Sequence, residues 1–230
     1  MINQILLCSK SSRRKHFLQF LELPFICQPS EINEKKLKNE NQTDYLTRIV
    51  HEKAYQSCKI FKKNNSQSSF FCYIAADTVV ILNSKIIGKP GNREKAIKTL
   101  QMLSGKMHIV QTILELGINT QSPIYIHNHE KIENFLDESL IPKKTSIITE
   151  YKSYIHIEKT LVSFNQLDNN QIKEYINQFN PLDKAGSYGI QDNFPLIRSY
   201  NGSLSNVIGL PLRKILFIVP LINNSINFFT

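Results

Sequence analysis

The chain has 230 residues, with 28 Lys and Arg against 19 Asp and Glu, a formal charge of +9, and 41% hydrophobic residues. That length allows a sizeable core in one large domain or two intimate lobes, and the basic excess suits a polyanion such as a nucleotide, nucleic acid or acidic membrane surface. "MINQILLCSK" breaks too early for a secretory signal, "ILFIVPLI" is too short to span a bilayer, and Cys8, Cys27, Cys58 and Cys72 form no CxxC pair, so a reduced, cytoplasmic protein with no membrane partner is expected.

Strand and helix patterns alternate, which favours an α/β fold. Ile5 to Cys8 reads as a strand and Ser12 to Leu23 as a helix, with Ser11 or Ser12 placed to cap it. A second helix is expected from Thr43 to about Lys62, opened by a Thr or Asp cap. "FFCYIAADTVVIL" reads as a buried strand entering a hairpin with "NSKII". Asn92 caps a helix through Ala96, Ile97, Leu100 and Leu103 that Gly105 ends, and "HIVQTILEL" and "HIEKTLVSF" are β-branched strands. Between them, Gly117 to about Tyr151 is polar and weakly periodic, so residues 118–150 read as an insertion in a single domain spanning 1–230. Ile172, Tyr175, Ile176 and Phe179 mark a helix stopped by Asn180-Pro181, and a final apolar helix is expected near Pro211.

Several charges stand where a bland fold would not put them. Arg13, Arg14 and Lys15 crowd the first turn of a helix, each misplaced against the dipole by roughly 0.3–1 kcal/mol when exposed. An anion cradled by backbone N–H groups and serine hydroxyls would compensate them; a solvated basic turn is the plain alternative. Lys53 falls within the apolar face of Leu46, Ile49, Val50, Ala54 and Phe61, so either its stem snorkels outward or an anionic group meets it. Asp77 interrupts an apolar strand, as a turn-closing carboxylate or as a metal ligand or general base. Glu31 and Glu34 add carboxylates, "IIGKPGN" presents Lys89 in a rigid turn, and "PLDKAGSYGIQ" packs Asp183, Lys184, two glycines and Gln191 together. His127 and His129 alternate without acidic or cysteine ligands nearby, and "LSGKMH" lacks the first glycine of a phosphate-binding loop. Cations, carboxylates and a helix N-terminus together suit phosphate-ester chemistry assisted by Mg²⁺.

In this order "SKSSRR", "SEINE", "HEKA", "AADTVV", "GKP", "LSGKMHIVQT", "DKAGSYGIQ" and "GSLSNVIGLPL" resemble the Maf family of nucleoside triphosphate pyrophosphatases, related in fold to the inosine triphosphate pyrophosphatases. The resemblance runs from Leu6 to Leu212 and implies a two-lobed, mixed-sheet α/β protein with a nucleotide cleft between its lobes. It implies hydrolysis of a nucleoside triphosphate to the monophosphate and pyrophosphate, with Mg²⁺ or Mn²⁺. Asp77 would be the metal-linked proton acceptor and Glu34 its partner at the metal. Lys53 and Lys89 would hold phosphates, and Ser9, Ser11, Arg13 and Arg14 would form the anion cradle. Thr78 and Gln191, with Arg13, match positions that tune base preference; Thr after the Asp resembles the branch acting on dTTP and UTP, or modified pyrimidine analogues, whereas the 7-methyl-GTP branch has Gln there. A homodimer is compatible with the family.

The departures are specific. Ser12 replaces the family's usual proline, Asn33 stands where an acidic residue is common, and "DNFP" replaces the Gly-x-Gly turn after Gln191. Two other readings remain: sanitation of a purine or modified-purine triphosphate, and a catalytically weak regulatory protein that binds nucleic acid. The second is disfavoured because the cations sit among carboxylates rather than interleaved aromatics.

Overall fold

An unbroken apolar run makes a strand buried on both faces, and Ile5, Leu6 and Leu7 are fully buried at the centre of the sheet's first parallel pairings. The computed structural model describes residues 2–65, 70–122, 124–126, 130–131, 141–142, 151–220 and 222. In chain order the elements are β1 (Ile2–Leu7), α1 (Ser12–Phe20), β2 (Phe25–Cys27), α2 (Gln42–Asn64), β3 (Phe70–Leu82), β4 (Lys85–Ile87), α3 (Arg93–Leu103), β5 (Met107–Asn119), β6 (Ile141–Pro142), β7 (Tyr151–Phe164), α4 (Asn169–Phe179), β8 (Ile197–Asn201) and α5 (Leu204–Ile208). The sheet runs β2-β1-β3-β5-β7-β6, with β4 on β3 and β8 on β7. β1 pairs in parallel with β2 and β3, whereas β4, β6 and β8 are antiparallel to their partners. The sheet is therefore mixed, and the fold is α/β.

The chain forms two compact units. The first comprises Met1–Asp77, Ile113–Ile157 and Pro211–Thr230. Its core is the apolar face of α2 (Leu46, Ile49, Val50, Ala54, Cys58, Phe61) and the buried stretch of β3 from Phe70 to Ala76. Phe70 meets Phe61 edge-on at 5.3 Å and Tyr151 at 4.8 Å between ring centroids. Gly117 is required here by space, because a Cβ would come within 1.9 Å of the Tyr73 ring. The second unit comprises Thr78–Thr112 and Glu158–Leu210. Leu100 and Leu103 of α3, Val162 and Phe164 of β7, and Tyr175 and Ile176 of α4 build its core.

The β3–β4 hairpin forms because Asn83 and Ser84 both adopt left-handed φ values, 49° and 61°, as a tight primed turn requires. Asn92 caps α3 through Lys95 N, as expected, and Asn180, left-handed at φ 41°, ends α4 before Pro181. Other boundaries differ. Asn41, not Thr or Asp, caps α2 by accepting from Asp44 N, and the Asp44 carboxylate lies in the first turn where it suits the helix dipole. α1 ends at Phe20 rather than Leu23, where Glu22 turns left-handed at φ 53°. Near Pro211 the chain makes only a short 3-10 turn, Leu212–Lys214, before helical residues resume at 218.

β5 runs on through Ile118 and Asn119, two residues into the proposed insertion at 118–150. Gly117, Ile118 and Asn119 belong to β5, Tyr151 opens β7, and Ile124 is 4% exposed. The middle of that segment, with His127 and His129, lies outside the described residues, as do residues 66–69 of "KKNNSQSS". Among the described residues, no helix is long and apolar enough to cross a membrane.

Candidate active site

In the first unit the two charge anomalies answer each other. α2 projects Lys53 from its partly buried side, and β3 brings Asp77 to the point where its burial first relaxes. Lys53 Nζ lies 2.8 Å from Asp77 Oδ1 and 2.8 Å from Glu34 Oε1. The Lys53 and Asp77 side chains are 17% and 24% exposed, while Glu34 is more open at 58%. Burial opposes the charge on Lys53, but the Asp77 carboxylate and the hydrogen bonds from both acids outweigh it and hold the ammonium above its ordinary pKa of 10.5.

Glu34 sits in a loop without secondary structure, so other contacts must place it. The Tyr45 hydroxyl donates to the Glu34 carbonyl at 2.8 Å, and Arg48 Nη2 donates to the Lys35 carbonyl at 3.0 Å. Arg48 also grips Glu40 through Nε at 2.7 Å and Nη2 at 3.0 Å, a two-pronged contact suited to a planar guanidinium. That hydrogen bonding lowers the Glu40 pKa and raises that of Arg48. Earlier in the loop, Ser30 Oγ donates to the Lys53 carbonyl at 3.0 Å and accepts from Ser57 Oγ at 3.1 Å. Asn33 Oδ1 closes a turn by accepting from Lys35 N at 3.1 Å. Glu31 is exposed.

At the start of α1, Ser9 Oγ gathers two donors, Arg14 Nη1 at 3.0 Å and the Ser11 N–H at 3.2 Å. Ser11 occupies the cap position, yet its side chain makes no capping bond and the first turn contains no acid. The helix end therefore remains electropositive. Burial lowers the Arg14 pKa to about 10, the Asp77 charge opposes that shift and Arg13 adds to it, so the guanidinium stays charged at neutral pH.

The second unit holds the remaining candidates. Thr78 follows Asp77 on β3, and its Oγ1 lies 2.9 Å from Thr112 Oγ1. Thr112 donates its own proton to the Asn206 carbonyl at 3.0 Å, so Thr78 is the donor within the pair. Lys89 is exposed in the turn after β4. Gln191 Nε2 donates to Asp192 Oδ1 at 3.0 Å, and Lys184 Nζ reaches Asp192 Oδ2 at 2.9 Å. Thus Lys53, Asp77 and Glu34 converge on one another and Arg14 on Ser9, while Thr78, Lys89 and Gln191 have separate surroundings within the second unit.

Sequence patterns do not single out Tyr45 and Arg48. Arg48 carried one local signal, an acid four residues on at Glu52, which it meets at 3.0 Å. Asp192 opens the "DNFP" after Gln191, where the sequence departs from the resemblance.

The model of the Maf-like protein family matches residues 4–219. A dTTP/UTP pyrophosphatase of Leptospira borgpetersenii is 34% identical over 209 residues, covering 91% of each chain. One of Bacillus cereus strain G9842 is 32% identical over 215 residues, 93% of each chain. One of Bdellovibrio bacteriovorus is 32% identical over 209 residues, 90% of this chain and 93% of that one.

Proposed function

From the premise that this chain belongs to the Maf family, we propose that it hydrolyses a pyrimidine nucleoside triphosphate, dTTP or UTP, to the monophosphate and pyrophosphate. The relatives bearing that activity in their names support the substrate class. The observation that carries the chemistry is the convergence of Asp77 and Glu34 on Lys53, each at 2.8 Å. In this reading Asp77 orients the attacking water and accepts its proton. Lys53 holds the two carboxylates together and has a third N–H for a phosphate oxygen. Ser9, Ser11, Arg13 and Arg14 at the start of α1 take the negative charge of the triphosphate, Lys89 takes a further share, and Thr78 and Gln191 face the base.

Among the described residues no group of three or more His, Cys, Asp and Glu gathers to hold a metal. Two carboxylates nevertheless fit Mg²⁺ or Mn²⁺, whose remaining positions water and substrate phosphates fill. We assign Asp77 and Glu34 as the protein's ligands to that cation, which withdraws charge from the phosphate oxygens when bound. The same reading places the enzyme in the cytoplasm, in keeping with its four unpaired cysteines.

The test is a panel of nucleoside triphosphates assayed for pyrophosphate with Mg²⁺ or Mn²⁺, on the parent and on Asp77→Asn. Turnover of dTTP or UTP, falling by about 10²-fold or more in the folded variant, is expected. Pyrophosphate release from purine triphosphates alone, or binding of nucleic acid without release, would refute the reading.

A further inference from the structure

The turn carrying Gln191 fixes its side-chain amide in one orientation. Gln191 Nε2 lies 3.0 Å from Asp192 Oδ1. An ionised carboxylate only accepts hydrogen bonds, so the amide group facing it must be the NH₂, and Gln191 Oε1 is turned away.

The other oxygen of Asp192 gathers two donors. Oδ2 accepts from Lys184 Nζ at 2.9 Å and from the Tyr175 hydroxyl at 2.5 Å. The Tyr175 oxygen accepts from Gly189 N–H at 2.9 Å, which directs the phenol proton to Asp192. The Lys184 and Asp192 side chains are only 11% and 8% exposed, so water competes little for either charge. Burial and the Asp192 hydrogen bond raise the pKa of Tyr175, which keeps it a donor. Gly189 leaves the room this needs: a Cβ there would come within 2.5 Å of Gln191 Nε2 and 2.7 Å of Asp192 Oδ1. One N–H of the amide is thus engaged by Asp192 and Oε1 faces away from it, while Gln191 itself is exposed.

We infer that Asp192 is a positioning residue that turns the amide oxygen of Gln191 to the base, selecting uracil and thymine, which carry an N3–H, against cytosine. The inference rests on the proposed reading in which Gln191 faces the base. Uracil and cytosine have nearly the same size, so the shape of a pocket separates them poorly. Their hydrogen-bond polarity differs: N3 is a donor in uracil and a bare acceptor in cytosine. A freely turning glutamine presents its oxygen or its NH₂ and accommodates both. Held by Asp192, it offers uracil a partner and places two acceptors face to face for cytosine.

The substitution Asp192→Asn tests this directly. Lys184 and Tyr175 both donate toward the 192 side chain, so asparagine must turn its oxygen to them and its NH₂ to Gln191. Gln191 then turns its own oxygen inward and presents its NH₂ to the base, which suits cytosine. Steady-state kcat/KM for UTP and CTP is measured by pyrophosphate release, with a thermal melt as the control for folding. The parent is expected to favour UTP over CTP by about 10²-fold or more, and Asp192→Asn to lower that ratio at least about tenfold while raising kcat/KM for CTP itself. A structural defect alone would lower both substrates together. Gln191→Met, at an exposed position, removes the acceptor and leaves the Asp192 contacts with Lys184 and Tyr175 in place. It should collapse the ratio to within about tenfold of unity. A parental UTP-to-CTP ratio in Gln191→Met, or in folded Asp192→Asn, overturns the inference while the pyrophosphatase reading stands. No turnover of either nucleotide by the parent overturns both.

Discussion

Lys53→Met separates two ways of regarding the lysine. Judged by its position on an apolar helix face, the substitution should preserve or raise stability, because it removes a buried cation. The structure reverses that expectation, since Lys53 bridges Asp77 and Glu34. Removing it strands Asp77, which is 24% exposed and therefore recovers only part of its hydration. Loss of one charge-assisted hydrogen bond at such a site costs about 1–2 kcal/mol. The contact with Glu34 adds about 0–1 kcal/mol, because Glu34 is 58% exposed and screened by water. Methionine replaces the aliphatic stem, so packing changes little. The net expectation is a loss of about 1–2 kcal/mol, or roughly 2–8 °C in Tm for a chain of this size, together with weaker nucleotide binding. Because the folded pKa of Lys53 lies above the unfolded 10.5, its contribution is fully present below pH 10.5 and disappears as pH rises through the folded value. The stability difference between parent and variant, measured by urea unfolding, should therefore stay level from neutral pH to about pH 10 and shrink only above it. Equal or greater stability of Lys53→Met at pH 7 would refute the argument.

Arg48→Met releases the loop that carries Glu34; a several-fold rise in the Mg²⁺ concentration needed for half-maximal turnover is expected, and an unchanged metal requirement would show that Glu34 is placed by other means. His108, buried against Phe164 and Tyr188, has its pKa lowered by burial from 6.5 to about 4. Over that window the unfolded chain binds the extra proton, so stability falls by about 3 kcal/mol as pH drops from 6.5 to 4, and His108→Gln should flatten that part of the pH profile of urea unfolding. Ile124→Ala should cost about 2 kcal/mol or more in the same measurement if the segment after β5 packs into the first unit, and a change near zero would show that it does not.

Local chemistry made part of this molecule readable from its sequence. Asn83 tolerates left-handed backbone, so the tip of the β3–β4 hairpin, where Ser84 follows it into the same region, is marked by its first residue. Asn92 and the Asn180-Pro181 pair marked helix ends by the same kind of argument. Lys53 and Asp77 were each visible as a charge out of place, but their pairing spans 24 residues and depends on how α2 lies against β3. Glu34 was less visible still. A loop acid acquires meaning only when Tyr45 and Arg48, on a helix that begins after the loop ends, fasten its backbone. Such contacts leave no period in the sequence. The polarity of Gln191 belongs to the same class, because it depends on the protons of Lys184, Tyr175 and Gly189 rather than on residue type alone.

The two residues by which β5 enters the proposed insertion have a physical explanation. Polar composition marks surface in a sequence pattern, and in the first unit that equation fails. Glu115 is fully buried in β5, where it meets the Tyr73 hydroxyl at 3.1 Å and His51 Nδ1 at 3.1 Å, and Tyr73 is also bonded to Ser153. Farther along β5, Asn119 is 2% exposed, and its Nδ2 donates to the Tyr151 hydroxyl at 3.3 Å. That hydroxyl passes its own proton to the Phe70 carbonyl at 2.8 Å, which ties the ends of β5, β7 and β3 together. Asn119 Oδ1 then accepts from Gln121 N at 2.9 Å and turns the chain out of the strand. A buried polar group costs little once each donor has an acceptor, so these residues form interior while carrying the composition of a loop. Pattern methods count side chains one at a time and see asparagine, serine and glutamate; the fold uses them in pairs drawn from different strands. That is why the strand pattern is legible in "HIVQTILEL" and fades before Asn119, where β5 ends.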